Sequence, residues 1–120
     1  MERAKILIVD DDPAVRESLK FDLETEGLTV QTYAGGRQFL ARQCFEDAAC
    51  LVLDCKMPDM DGFAVLAELT ARNVRLPVIL MTAPVTEAVR RRARGANLFN
   101  LLEKPLLNRV LAENIRRATA

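Results

Sequence analysis

The chain has 120 residues, half of them apolar and 28% charged, and its 17 Lys+Arg balance 17 Asp+Glu. That is enough for one globular domain with a sizeable core, and a formal net charge of zero offers no bulk attraction to nucleic acid or an anionic membrane. The chain has no histidine, which excludes imidazole acid–base chemistry, histidine metal ligation and a Ser-His-Asp triad; no apolar stretch approaches the ~18 residues of a membrane-spanning helix.

The opening Met1-Glu-Arg-Ala-Lys5 leads straight into a first strand, Lys5 to Val9, without room for a signal peptide, so a cytoplasmic protein is expected. Asp12-Pro13 opens the first helix as N-cap and first helical residue; Val15, Leu19 and Leu23 form its buried stripe, and Gly27 ends it. A second strand, Leu28 to Tyr33, alternates like an edge strand. Gly35-Gly36 breaks the chain before a short second helix, Arg37 to Gln43. The third strand, Ala49 to Leu53, runs into Asp54 and the loop Cys55-Lys-Met-Pro-Asp-Met-Asp-Gly62. A third helix follows and is expected to bury Phe63, Leu66 and Ala67. The fourth strand, Pro77 to Met81, ends at Thr82. The fourth helix runs from near Thr86 to Arg94, with Val85, Val89 and Ala93 inward and Gly95 as its stop. The fifth strand, Leu98 to Leu102, precedes Lys104. The fifth helix, Leu106 to Ala118, turns Leu107, Val110, Leu111, Ile115 and Ala118 inward. Cys44, Cys50 and Cys55 are odd in number and lack CxxC spacing, so they read as reduced thiols.

Five βα units argue for a doubly wound α/β sandwich with a parallel sheet, joined by right-handed crossovers. The whole chain, 1–120, reads as one domain, and any output module is expected on another polypeptide or outside this segment. In such a sheet the strand carboxyl ends share one edge, where ligands bind. That edge collects Asp10, Asp11, Asp54, Thr82 and Lys104. If the first and third strands are neighbours, three carboxylates meet. Two carboxylates ~4 Å apart repel by about 4 kcal/mol at an effective dielectric near 20, so the group needs a cation. Hard oxygen ligands suit Mg²⁺ rather than zinc, and Mg²⁺ beside a carboxylate nucleophile, with a lysine and a threonine to hold oxygens, is a phosphoryl-transfer constellation.

The segments Ile6-Leu-Ile-Val-Asp-Asp-Asp-Pro13, Leu51-Val-Leu-Asp-Cys-Lys-Met-Pro-Asp-Met-Asp-Gly62, Pro77-Val-Ile-Leu-Met-Thr-Ala83 and Glu103-Lys-Pro105, taken in order, resemble the response-regulator receiver domains of two-component signalling. The resemblance covers essentially the whole chain. It implies the flavodoxin-like strand order 2-1-3-4-5. It also implies that Asp54 accepts a phosphoryl group from the phosphohistidine of a sensor histidine kinase or phosphotransfer protein. By position, Asp11 would bind Mg²⁺ directly, Asp10 through water, and the backbone carbonyl of Lys56 would complete the protein ligands. Lys104 would pair with the phosphoryl group and join Pro105 through a cis bond, Thr82 would swing toward the phosphoryl oxygen, and the small Ala83 would leave Asp54 accessible. The resemblance makes the chain a switch rather than an enzyme, catalysing only its own phosphorylation and dephosphorylation. Two positions depart from the pattern. Leu101 stands where the family often has an aromatic switch, with Phe99 two residues upstream and expected on the same side of the strand. The loop after Thr82 reads as shortened and stiffened by Pro84.

Plainer readings exist for each residue. Asp10 to Asp12 also suit a helix start, Thr82 an ordinary loop hydroxyl, and Lys104 the surface; Asp59 and Asp61 are expected to serve the turn into the third helix. Arg90, Arg91, Arg92 and Arg94 form either a solvated face or a docking patch. Output is expected on the face of the fourth helix, fifth strand and fifth helix, with self-association through Glu103 or Glu113 against Arg91 or Arg94 as its simplest form, and without specific DNA binding. Two rival functions are a haloacid-dehalogenase-type phosphohydrolase, whose DxDx(T/V) motif is half met because Ala14 takes the last place, and a receiver-like module that binds partners without phosphorylation.

Overall fold

In the computed structural model, which describes residues 4–106 and 109–120, the apolar runs form one parallel sheet. Its strands are β1 (Lys5–Val9), β2 (Thr29–Tyr33), β3 (Ala48–Asp54), β4 (Val78–Thr82) and β5 (Asn100–Glu103), ordered β2-β1-β3-β4-β5. The chain steps from β1 outward to β2, then returns to the other side of β1 for β3. This reversal opens a crevice at the carboxyl ends of β1 and β3. The five connecting or terminal helices are α1 (Pro13–Thr25), α2 (Gly36–Leu40), α3 (Gly62–Ala71), α4 (Glu87–Arg94) and α5 (Val110–Ala118). The flavodoxin-like (βα)5 fold and its strand order are therefore as expected.

Strand alternation divides the core in two. Leu7, Val9, Leu51, Leu53, Val78 and Leu80 pack with Phe39 and Leu40 of α2 and with Val65, Leu66 and Leu69 of α3. Ile6, Ile8, Cys50, Val52, Ile79 and Met81 pack on Leu19 and Leu23 of α1 and on Leu111, Ala112 and Ile115 of α5. The central strands are buried on both faces, which is why they read as near-continuous apolar runs.

Local chemistry sets the helix boundaries. The Ala14 N–H donates to Asp12 Oδ1 at 2.9 Å, capping α1 ahead of Pro13. Gly27 leaves α1 at φ +85°, in the left-handed region. Thr86 Oγ1 accepts the Val89 N–H at 3.1 Å to cap α4.

Several boundaries and faces correct the sequence reading. α2 stops at Leu40 rather than Gln43. Arg42 turns back instead to Tyr33 Oη (2.6 Å), Gln31 Oε1 (3.0 Å) and Asp47 (3.0 Å). Residue 28 is not in β2, because the Leu28 N–H closes the end of α1 on Leu23 O. β5 begins at Asn100: the Leu98 N–H folds back on Ala96 O, and only the Phe99 N–H reaches Val78 O. On α3 the inward stripe is Val65, Leu66 and Leu69, with Ala67 exposed and Phe63 half-buried. On α5 Val110 is exposed, and Asn114 is buried with Leu111, Ala112 and Ile115. The Asn114 amide gives its hydrogen to Val110 O and accepts from Asn100, so a polar side chain is satisfied inside the face. Leu107 and the opening Met1-Glu-Arg lie outside the described residues.

Lys5 and Arg42 bracket Asp47 at 3.2 and 3.0 Å. The hydrogen bond from Arg42 outweighs burial and, with Lys5, holds the Asp47 carboxyl down at about 2. A depressed carboxyl stabilises the fold above its unfolded value of about 3.9 and loses that stabilisation as pH falls toward the folded value. Asp47→Asn is expected to cost about 1 kcal/mol at pH 7 after solvent screening, or roughly 3–5 °C. Thermal melts should show the gap to the parent narrowing to about half near pH 3. A gap that is constant with pH would remove the ion pair as its cause.

Candidate functional site

The alternation that builds the α1/α5 side of the core also sets the sidedness of the site. Ile6 and Ile8, Cys50 and Val52, and Leu102 all face that side. Continuing by two residues places Asp10, Asp54 and Lys104 there, at the ends of β1, β3 and β5. Asp10 and Asp54 are buried, at 0% and 4% exposure, while Asp11 is exposed at the rim. One oxygen from each of Asp10, Asp11 and Asp54 lies within 4.8 Å of the other two. Lys104 Nζ reaches across the crevice to Asp10 Oδ2 at 2.7 Å and Asp54 Oδ1 at 3.2 Å. The Asp12 N–H donates to Asp10 Oδ1 at 2.9 Å, and the Lys56 N–H makes a long bond of 3.4 Å to Asp54 Oδ1.

The electrostatics follow from this crowding. Burial pushes the Asp54 carboxyl up, to about 6, and the charge of Asp10 adds to the shift; Lys104 and the Lys56 N–H oppose it. Burial disfavours the Lys104 ammonium, but its bond to Asp10 and the charges of both carboxylates outweigh this and raise its pKa. One ammonium cannot neutralise three carboxylates. The donor set consists of hard oxygens, while the neighbouring Cys55 packs into the α2/α3 core, where burial raises the pKa of its thiol. The residues therefore fit a hard divalent cation.

Thr82 stands on the opposite side of its strand from Met81, and its Oγ1 is buried with no hydrogen-bond partner. Cys55 is close enough for Thr82 to draw its thiol pKa back down, against burial, yet the two make no bond of ordinary geometry. A buried hydroxyl left in this state is costly, and here it lies one strand away from Asp54, whose partner in register is Met81. The Lys104–Pro105 bond is cis, as the resemblance implied, and so is Ala83–Pro84, which the sequence reading did not include. Ala83 is exposed at the rim.

Other acidic residues serve the turns, as expected. Asp61 Oδ1 accepts the Ala64 N–H at 2.8 Å to cap α3, and Asp59 Oδ2 accepts the Arg37 N–H at 2.9 Å, tying the loop after β3 to α2. Phe99 is not a gate beside Thr82. It pairs with Val78 at the start of β4, while Thr82 is at the end of that strand, about 13 Å away at 3.3 Å per residue. Leu101 packs on the α2/α3 core instead.

Three further residues shape the site. Arg16 Nη1 donates to Asp10 O at 2.8 Å. Glu103 Oε2 accepts the Val85 N–H at 2.9 Å, tying β5 to the connector after Thr82. At Gly62 a Cβ would lie 2.8 Å from Asp54 O, so only glycine lets α3 start this close to the strand end. The Asp54-Gly62 spacing hinted at the last of these; Val85 and Glu103 are distant in sequence, and Arg16 carries no pattern that marks its bond to Asp10 six residues before it.

An acidic crevice at the switch point of a five-stranded parallel sheet, bridged by a lysine just after the last strand, defines a doubly wound α/β domain with a site for a hard cation. The comparisons narrow the class. Residues 6–116 match the family described as response regulator receiver domain. The chain is 38% identical over 117 residues to the transcriptional regulatory protein FixJ of Azorhizobium caulinodans, covering 96% of this chain and 54% of that protein. It is 34% identical over 116 residues to the C4-dicarboxylate transport transcriptional regulatory protein DctD of Pseudomonas aeruginosa, covering 97% of this chain and 25% of that protein. It thus spans between a quarter and about half of these curated relatives. Among solved structures, a CheY-like receiver domain protein from Methanospirillum hungatei superposes with a TM-score of 0.87 at 30% identity, covering 97% of this chain and 93% of the other. The chain belongs to the receiver domains of two-component response regulators, a family of phosphoacceptor switches that partner with histidine kinases. Membership removes the haloacid-dehalogenase alternative. No described helix is long and apolar enough to cross a membrane.

Proposed function

We propose that this chain is a single receiver domain that takes a phosphoryl group onto Asp54 from a histidine kinase or phosphotransfer protein, and thereby switches a protein-interaction surface. The observation that carries this reading is the arrangement of Lys104 Nζ, 2.7 Å from Asp10 and 3.2 Å from Asp54, with Asp11 alongside.

Asp54 supplies the nucleophilic oxygen. Its bond to phosphorus forms as the donor's P–N bond breaks and the imidazole leaves with the electron pair. Lys104 meets the negative charge arriving at Asp54, and the unpartnered Thr82 hydroxyl gains an acceptor among the phosphoryl oxygens. Mg²⁺, held by Asp11, Asp10, Asp54 and the Lys56 carbonyl, would supply the positive charge that an anionic donor needs to approach three carboxylates. The protein transforms no separate substrate, acting only on its own phosphorylation and dephosphorylation, and in this reading it works in the cytoplasm. Treatment with acetyl phosphate and Mg²⁺ is expected to raise the intact mass by one phosphoryl group, and Asp54→Asn or EDTA to abolish the gain. Equal labelling of Asp54→Asn would overturn the assignment, and no labelling of the parent would favour a partner-binding module that works without phosphorylation.

The switched surface in this proposal is α4, β5 and α5, because Thr82 and Lys104 sit at the roots of these elements. Arg90 and Arg91 are exposed there, without an ion-pair partner among the described residues, and suit an acidic partner or a second copy offering Glu103 or Glu113. The net charge is zero and the five described helices all belong to βα units rather than to a helix-turn-helix, so direct nucleic-acid binding is not part of the proposal. Sedimentation with and without beryllofluoride, on the parent and on Arg91→Glu/Arg94→Glu, is expected to show association that the variant loses. Unchanged mass, together with unchanged binding to the cognate partner, would remove this face.

A further inference from the structure

We infer that Arg92 is a positioning residue that latches α4 to the start of α3 in the unphosphorylated protein and gives way when the site is occupied; this rests on the phosphoacceptor reading above. The Arg92 guanidinium carbon lies 4.2 Å from the centroid of the Phe63 ring, a close cation–π stack. Its Nη1 lies 3.7 Å from Asp61 Oδ2. Asp61 is the N-cap of α3, so one carboxylate holds both the first turn of α3 and the arginine. Phe63 is packed against the α2/α3 core, which makes its ring a fixed platform.

The helix that carries Arg92 is otherwise weakly held. α4 has no buried residue. Its inward residues Val89 and Ala93, like Val85 in the connector before it, are half-buried and belong to neither core cluster. Its basic neighbours Arg90, Arg91 and Arg94 face solvent. Arg92 is exposed as well, but its stack on Phe63 joins Val89 and Ala93 in holding α4 in place. The helix also begins only five residues after Thr82, through a connector tied to β5 by the Val85 N–H on Glu103. A phosphoryl group that drew the unpartnered Thr82 hydroxyl toward Asp54 would pull on that connector. Contacts of this kind are short-ranged, so the stack is among the first to be lost as α4 moves. A contact present in one state and absent from the other biases the equilibrium between them.

The test uses Arg92→Ala, Arg92→Lys, Phe63→Leu and the Arg92→Ala/Phe63→Leu double variant. Hydrogen exchange of α4 amides is read without metal, and beryllofluoride affinity is read by calorimetry with Mg²⁺. Arg92→Ala and Phe63→Leu are each expected to speed α4 exchange by about two- to fivefold, the range of an exposed cation–π contact. Each should tighten beryllofluoride binding by a similar factor, because the latch no longer opposes the occupied state. The double variant should match either single one, and Arg92→Lys should fall between it and the parent. The charge of Arg92 acting directly on the anion would give the opposite sign: weaker binding in Arg92→Ala and no change in Phe63→Leu. That result, or additive effects in the double variant, would overturn the latch. A parent protein that binds no beryllofluoride with Mg²⁺ would overturn the phosphoacceptor reading itself, and with it the coupling.

Discussion

In metal-free buffer, Lys104→Met is expected to lower stability by about 2–4 kcal/mol, somewhat below what removing one partner of a fully buried ion pair costs, because the lysine is partly exposed. For a domain of this size that is a fall in melting temperature of roughly 8–15 °C. Methionine keeps most of the packing of the lysine stem, so the loss reports on charge. Asp10 is fully buried, and its Oδ2 has Lys104 at 2.7 Å, while Oδ1 is already taken by the Asp12 N–H. Without the ammonium, a buried carboxylate is left facing Asp54, whose own carboxyl is raised by burial and by Asp10. Two further variants follow from this cause. Adding Asp10→Asn to Lys104→Met should recover most of the loss, because the uncompensated charge goes with it. Mg²⁺ should narrow the gap to the parent by standing in for the missing cation. If Lys104→Met melts within a degree or two of the parent without metal, the lysine is a surface residue and the bridge does not matter to the fold.

That bridge also shows what the sequence could and could not disclose. The strands and their ends were legible because parallel strands buried on both faces leave unbroken apolar runs, and because the residues that close them, Asp10, Asp54, Thr82 and Lys104, are polar; the order of the strands in the sheet came only with the family resemblance. Helix starts were legible where one side chain decides them, as at Asp12, Asp61 and Thr86. The reading lost accuracy where a distant partner decides. α2 is cut short by the four-way engagement of Arg42 with Tyr33, Gln31, Cys44 and Asp47. The start of β5 is set by whether Phe99 or Asn100 meets β4 in register. On α3 and α5 the apolar residues at helical spacing exceeded what the core could take, so Ala67 and Val110 were turned out, while Asn114 was accepted because Val110 O and Asn100 satisfy its amide. Lys104 was read as a partner for a phosphoryl group; the structure adds that it rests on Asp10 and Asp54. The stack of Arg92 on Phe63 joins residues 29 positions apart, and nothing in the run of arginines marks which of them lies over the ring.

Asp11 allows the metal proposal to be tested through opposite signs in one residue. It is exposed, so its truncation removes little packing, yet its carboxylate lies within 4.8 Å of two buried ones. Without metal, Asp11→Ala is expected to melt above the parent, because like charges that repel in the folded state are spread apart in the unfolded chain. With Mg²⁺ at a hundred times its dissociation constant, the parent should gain about 2.7 kcal/mol, or roughly 10 °C, and Asp11→Ala should gain almost nothing. The order of the two melting temperatures therefore reverses between EDTA and saturating Mg²⁺. A general effect of salt on surface charge would move both proteins alike, and Na⁺ at matched ionic strength serves as that control. If Asp11→Ala melts below the parent without metal, the three carboxylates are not strained against one another. If it responds to Mg²⁺ as fully as the parent does, Asp11 is not a ligand. Either result would dismantle the cation site on which the proposed phosphoryl transfer to Asp54 depends.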